Sequence, residues 1–161
     1  MTYIVLPSTL EIIGKYSFGD CVELRNINIP EGVVDIGEKA FFDCYRLKSI
    51  TIPNSVKFIG AYAFCRCCDL DNITIPDNVT NIYDFAFSEC LSMTNAIVGN
   101  GVKNIGNYAF SDCENLKSVL LSKNVESIGE YAFSHCNSLI SIIIPDSVKS
   151  MGEYAFYECT S

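Results

Sequence analysis

The apolar positions of this chain return at a fixed interval. Phe18, Phe41, Phe64, Phe87, Phe110, Phe133 and Phe156 stand 23 residues apart, and three residues after each comes a cysteine: Cys21, Cys44, Cys67, Cys90, Cys113, Cys136 and Cys159. Self-similarity at one period is the signature of a stacked array, and it has precedence over any local reading. Within each period two rhythms alternate. Ile27 and Ile29 flank Asn28, Ile50 and Ile52 flank Thr51, and Ile73 and Ile75 flank Thr74. That spacing of two predicts a strand with its middle residue on the opposite face. Pro7, Pro30, Pro53, Pro76 and Pro145 follow such strands, and proline has no amide to donate, so the pairing stops there and the chain turns.

The second half of each unit carries Val33, Val56, Val79, Val102 and Val125, then Ile36, Ile59, Ile82, Ile105 and Ile128. We read a short strand ending at the glycine that follows. Ala40, Phe41 and Cys44 then share one face of a helical turn. Only about one turn fits before Leu47 opens the next unit, so 3₁₀ or a single α-turn is predicted. The 161 residues divide into units 1–23, 24–46, 47–69, 70–92, 93–115, 116–138 and 139–161, with Met1 in the column of Leu24 and Leu47. A lone unit cannot bury its apolar face, so neighbours must seal one another and pair backbone between rungs. The strand Ile50–Ile52 is therefore expected to pair in parallel with Ile27–Ile29 and Ile73–Ile75. Phe41, Phe64, Phe87 and Phe110 should stack, nearly fully buried.

Departures from the pattern cluster. Tyr83 stands in the glycine column, Phe85 for tyrosine, Met93 for leucine, Ala96 for isoleucine, and Gly99-Asn100-Gly101 replaces the proline turn, so a seam is expected at 83–101. Tyr83 also argues that the glycine column serves close packing rather than a left-handed backbone. The array opens and closes without polar caps. Ile4, Leu6 and Leu10 at one end, and Val148, Ala155 and Phe156 at the other, are expected to be exposed. This predicts a piece of a longer chain or end-to-end association.

Charge and cysteine narrow the function classes. A net charge of −8 argues against nucleic acid and anionic membrane surfaces. No apolar run nears the roughly 20 residues of a membrane helix, so no membrane insertion is expected. Seven of the nine cysteines form one column rather than irregular pairs, which predicts buried, reduced thiols there. Cys65, in a column of Ser and aromatics, is the expected exposed thiol. Cys65-Arg66-Cys67-Cys68 looks like part of a zinc site, but four ligands are wanted and Cys67 belongs to the buried column. His135 shares its column with Asp20, Asp43, Arg66, Glu89, Asp112 and Glu158, which is read as solvent-facing; stacked carboxylates there suggest calcium, or simply a solvated edge. With one histidine in a solvent column there is no nucleophile device. No cofactor, no metal and no catalysis are expected.

The unit Leu47-x-x-Ile50-x-Ile52-Pro53-x-x-Val56-x-x-Ile59-Gly60-x-x-Ala63-Phe64-x-x-Cys67 resembles the BspA-like (Treponema pallidum-type) leucine-rich repeat, and the resemblance covers all seven units. It implies a β-rich, right-handed solenoid of the α/β leucine-rich-repeat class, with a parallel concave sheet and short strands and 3₁₀ or helical turns on the convex side. It further implies a surface-exposed or secreted protein associated with adhesion and with binding host or extracellular matrix proteins. A passive spacer in a longer surface protein is the alternative.

One column suggests where a protein ligand would sit. From the second unit onward the outward middle residue reads Asn28, Thr51, Thr74, Ile97, Leu120, Ile143. Three large apolar residues on adjacent rungs, extended by Ile140 and rimmed by Asn95, Lys117 and Ser118, form a candidate partner-binding or concave-face self-association surface.

Overall fold

The computed structural model describes residues 2–161, so Met1 lies outside the described residues. Among the described residues fourteen short strands stack into a parallel β-solenoid, two per turn of 23 residues. The first strand of each turn is β1 (Tyr3–Ile4), β3 (Asn26–Asn28), β5 (Ser49–Thr51), β7 (Asn72–Ile75), β9 (Asn95–Val98), β11 (Ser118–Leu120) and β13 (Ser141–Ile142). The second is β2 (Ile12–Ile13), β4 (Asp35–Ile36), β6 (Phe58–Ile59), β8 (Asn81–Ile82), β10 (Asn104–Ile105), β12 (Ser127–Ile128) and β14 (Ser150–Met151). Both sets pair in a register of one repeat, as in Leu120 opposite Ile97 and Ile105 opposite Ile82.

The core is a set of columns running through the stack. Phe41, Phe64, Phe87, Phe110 and Phe133 are fully buried. Successive rings from Phe18 to Phe156 stack 5.1–5.4 Å apart, within 11° of parallel. At the ends, Ile4, Leu6, Leu10, Val148 and Phe156 are half-buried rather than exposed, and Ala155 is buried at 4%. Each packs against the one neighbouring rung it has.

The predicted helical turn is absent: no α- or 3₁₀-helix occurs among the described residues, so the α/β element of the expectation is corrected. That stretch is a chain of tight turns. Two residues per turn take left-handed φ, between 53° and 62°. These are Tyr16, Lys39, Tyr62, Phe85, Tyr108, Tyr131 and Tyr154, and Asp20, Asp43, Arg66, Glu89, Asp112, His135 and Glu158. Such φ values are uncommon for bulky residues. Here each one, Tyr154 and Glu158 of the last turn excepted, donates its amide to the next rung: Lys39 N donates to Ala61 O at 2.9 Å and Arg66 N to Ser88 O at 2.8 Å. A helix would spend those amides within its own turn and leave the rungs unpaired.

The glycines all have negative φ, in keeping with a packing role. A Cβ on Gly37, Gly60 or Gly129 would come within 2.9 Å of the preceding rung's backbone. Tyr83 occupies this column, and the junction beneath it is opened. Gly37, Gly60, Gly106, Gly129 and Gly152 each donate to the isoleucine one rung back, at 2.7–2.8 Å, whereas Tyr83 N makes no such bond to Ile59 O. The β6–β8 pairing shrinks to Ile59 opposite Ile82. At the same junction the other sheet divides into β1-β3-β5 and β7-β9-β11-β13, so Ile50–Ile52 pairs with Ile27–Ile29 but not with Ile73–Ile75. A cleft of about 450 Å³ lies there between Ile50–Asn54 and Asn72–Thr74. The turn side stays closed, with Phe64 N donating to Ala86 O at 2.8 Å.

The expected seam is thus displaced to the start of its stretch. Rungs four and five are among the best paired, β7 matching β9 over four residues. Gly99 and Gly101 permit this, because a Cβ on Gly99 would strike Ile75 O at 2.5 Å and one on Gly101 would collide with the Asp77–Val79 turn. Replacing Tyr83 with glycine should close the junction. The regained backbone hydrogen bond is expected to raise the unfolding free energy by about 1 kcal/mol, read by urea denaturation. An unchanged or lowered midpoint would contradict the wedge role of Tyr83.

Candidate functional site

The outward column of the first sheet is exposed along its length, because alternate residues of a strand point to opposite faces. Asn28, Thr51 and Thr74 are exposed in the amino-terminal half. In the carboxy-terminal half Ile97 is 45%, Leu120 64% and Ile143 85% exposed. Leu120 lies directly opposite Ile97 on the paired strands β9 and β11, and β11 pairs with β13 through Val119 and Ile142. A shallow groove of about 360 Å³ runs beside Leu120 and Ile143, floored by Val119 and Ile142 and edged by Ser118, Lys123 and Pro145. Ile140 is 77% exposed but does not line this groove. Lys123 does, and no apolar pattern in the sequence pointed to it.

The rim residues are partly committed. Ser118 Oγ donates to Asn95 Oδ1 at 2.6 Å, and Asn95 Nδ2 donates to Asn72 Oδ1 at 3.0 Å. These amides and hydroxyls form a polar ladder two residues before the apolar column, on the same face of the sheet. Lys117 is exposed.

The cysteine column has a role beyond filling volume. Cys44, Cys67, Cys90, Cys113, Cys136 and Cys159 each donate Sγ–H to the carbonyl of the phenylalanine one rung earlier, at 3.0–3.3 Å. Cysteine is therefore a small hydrophobe whose weak donor ties the rungs together. All nine cysteines are free thiols. Burial pushes Cys44 up to about 12, and Cys67, Cys90 and Cys113 well above the usual thiol value. Cys65 is not the exposed thiol: it is 4% exposed, and burial pushes it up to about 12, while Cys68 beside it is half-buried. Its side chain turns in under the flanking rungs, where Ser88 occupies the same column, also buried. Thiol titration without reductant should find at least seven reactive groups in denaturant and far fewer in the native state at pH 8, since only thiolate reacts. Two or three bridged pairs between rungs would refute this.

The acidic column is not a uniform solvent edge. Asp43 is 8% exposed, and Arg66 lies between its neighbours, with Nη1 3.1 Å from Asp43 and Nε 3.5 Å from Glu89. This guanidinium occupies the space in which stacked carboxylates would hold a cation. His135 is half-buried rather than a bystander in solvent, with Nδ1 3.2 Å from Glu158 and its ring edge-on to Tyr157. Among the described residues no three His, Cys, Asp or Glu side chains converge as a metal site. On the turn side Tyr62, Phe85, Tyr108, Tyr131 and Tyr154 form a second ring stack at 4.6–5.0 Å. Lys39 interrupts it with its ammonium over Tyr16, Phe42 and Tyr62, so a cation replaces a ring in the column.

The repeat registers with a known family. The model of the BspA type leucine rich repeat region matches residues 1–117 and 35–161, in six copies, and so spans the chain. The chain belongs to the BspA-type leucine-rich repeat family. Among solved structures it is similar to the leucine-rich repeat protein of T. pallidum, with 32% identity and a TM-score of 0.93, covering 98% of this chain and 76% of that one. A leucine-rich repeat protein from Eubacterium ventriosum is 27% identical with a TM-score of 0.90, covering the whole of this chain and 44% of that one. A leucine rich cell surface protein from Faecalibacterium prausnitzii, at 22% identity and a TM-score of 0.56 over 99% of this chain and 65% of that one, shares the fold. This repeat array thus spans about three quarters of the first relative and less than half of the second. No curated protein sequence matches it. The repeat fold is consistent with a protein-interaction module. Among the described residues no helix is long and apolar enough to cross a membrane.

Proposed function

We propose that this BspA-type array is a non-enzymatic protein-binding module of a cell-surface or secreted protein, which holds a host or extracellular matrix protein on the strand face centred on Ile97, Leu120 and Ile143. One observation carries the reading. Three large apolar side chains, 45–85% exposed, stand on adjacent rungs of one sheet where the preceding rungs carry Asn28, Thr51 and Thr74. Scattered exposed apolar residues need no explanation, but a contiguous patch marks an interaction surface. The rigid column beneath, from Phe87 to Phe133, holds the patch in place, so binding orders little backbone. The surface assignment draws support from the F. prausnitzii relative, described as a cell surface protein.

The test replaces Ile97, Leu120 and Ile143 together by threonine, the residue already used at Thr51 and Thr74 and a good strand former. Folding should be retained by circular dichroism and thermal melting. Binding to a panel of immobilised extracellular matrix proteins should fall at least about tenfold, as for loss of a hot-spot cluster. A triple variant that binds like the parent would place the site elsewhere.

A further inference from the structure

Most cations of this chain are already neutralised by a carboxylate one repeat away. Lys15 meets Glu38 at 2.9 Å, Arg46 meets Glu23 at 3.0 Å, Lys48 meets Asp71 at 4.0 Å, and Lys149 and Lys103 share Glu126 at 2.6 and 3.7 Å. Arg66 is paired with Asp43, and Lys39 sits among aromatic rings. Among the described residues the remaining cations, Arg25, Lys57, Lys117 and Lys123, have no carboxylate within 4.0 Å, and of these four Lys117 and Lys123 flank the apolar strip. They bracket Leu120, the centre of the apolar strip, three residues to either side, and both are exposed. The positions one repeat from Lys117 are Thr94 and Ile140; those flanking Lys123 are Asn100 and Asp146, the latter beyond ion-pair distance, while nearby Glu126 is taken up by Lys103 and Lys149.

The amino-terminal half of the same face mixes both signs. Three residues to either side of Asn28, Thr51 and Thr74 stand Arg25 and Glu31, Lys48 and Asn54, and Asp71 and Asp77, with Lys48 4.0 Å from Asp71. The strand face therefore divides into a polar half of mixed charge and an apolar half with two unpaired ammonium groups, in a chain of net charge −8. A partner that covers Leu120 must approach both lysines. Carboxylates placed there gain two charge pairs, whereas a basic partner would press like charges together as water leaves. The net negative charge disfavours acidic partners over much of the surface, so an acidic segment drawn here is held by the two lysines together with the apolar strip.

We infer that the strip takes a short extended protein segment whose apolar side chains are bracketed by Asp or Glu. This rests on the protein-binding reading of the strip and adds the partner's chemistry. Lys117 and Lys123 are separated by at most roughly 20 Å of extended chain, so a segment of about six to eight residues spans both.

A random peptide library displayed on phage, panned at 0.1 M NaCl against the full chain and counter-selected on the triple threonine variant, tests this. The expected peptides carry apolar residues bracketed by Asp or Glu. Lys117→Glu with Lys123→Glu should weaken them at least about tenfold, as for reversed charges at an interface rim. Raising the salt to 1 M shortens the screening length from about 10 Å to about 3 Å and should also weaken binding. Peptides that need the strip but lack acidic residues and ignore the charge reversal would overturn the inference while leaving the proposed function standing. No strip-dependent peptide at all would sink both.

Discussion

Phe87→Ala is expected to lower the unfolding free energy by about 4 kcal/mol, as for a large buried aromatic truncated in a core that cannot collapse. Phe87 is fully buried, with Phe64 and Phe110 each 5.3 Å away on either side. Removing the ring breaks two stacks at once, each contributing about 0.5–1.5 kcal/mol beyond area burial. Its neighbours cannot move in, because their own rungs are clamped by Phe64 N to Ala86 O and Phe87 N to Ala109 O, both 2.8 Å. Phe18 is the internal control. It is 9% exposed and stacks on one ring alone, so Phe18→Ala should have roughly half the effect. Urea denaturation measures both. Equal losses would show that the column is not continuous in energy. A lowered m-value at Phe87 would show the array splitting into parts, as nearest-neighbour coupling allows.

Gly129→Val should cost about 3 kcal/mol or more, at the upper end of overpacking effects. A Cβ at Gly129 would meet Gly106 C and Asn107 N at 2.6 Å, both backbone atoms of the rung before. It cannot fit without separating the rungs, and Gly129 N would lose its 2.8 Å bond to Ile105 O. Backbone strain plays no part, since φ is negative there. Gly14 occupies the same column without a glycine rung beneath it. The nearest atom to its Cβ would be Ser17 Oγ at 3.4 Å, so Gly14→Ala should stay within about 0.5 kcal/mol of the parent. Thermal and urea midpoints of the two variants decide the matter. Comparable losses at both positions would show that glycine is needed for its conformation and not for space.

Periodicity alone determined the architecture. Seven phenylalanines and seven cysteines at one interval leave no arrangement other than stacked turns, because each column is buried only by its own repeat above and below. Alternation of two gave the face on which Ile97, Leu120 and Ile143 stand, and it also exposed the packing role of glycine through its one exception, Tyr83. The turns were decided by tertiary structure. Ala40, Phe41 and Cys44 fit a helical face equally well, and nothing about Tyr62, Arg66 or His135 announces a left-handed backbone, since the gain that offsets it is a hydrogen bond to the next rung. Cys65 and Asp43 were misplaced for a related reason: their burial depends on what neighbouring columns carry, not on their own. The opening between the third and fourth rungs likewise needs two rungs to exist. A Cβ at position 83 is harmless within its own turn and obstructive only against the backbone before it. The lysines beside Leu120 are set apart from the ion-paired cations by distance to carboxylates, which sequence spacing suggests at 23 residues and geometry alone decides.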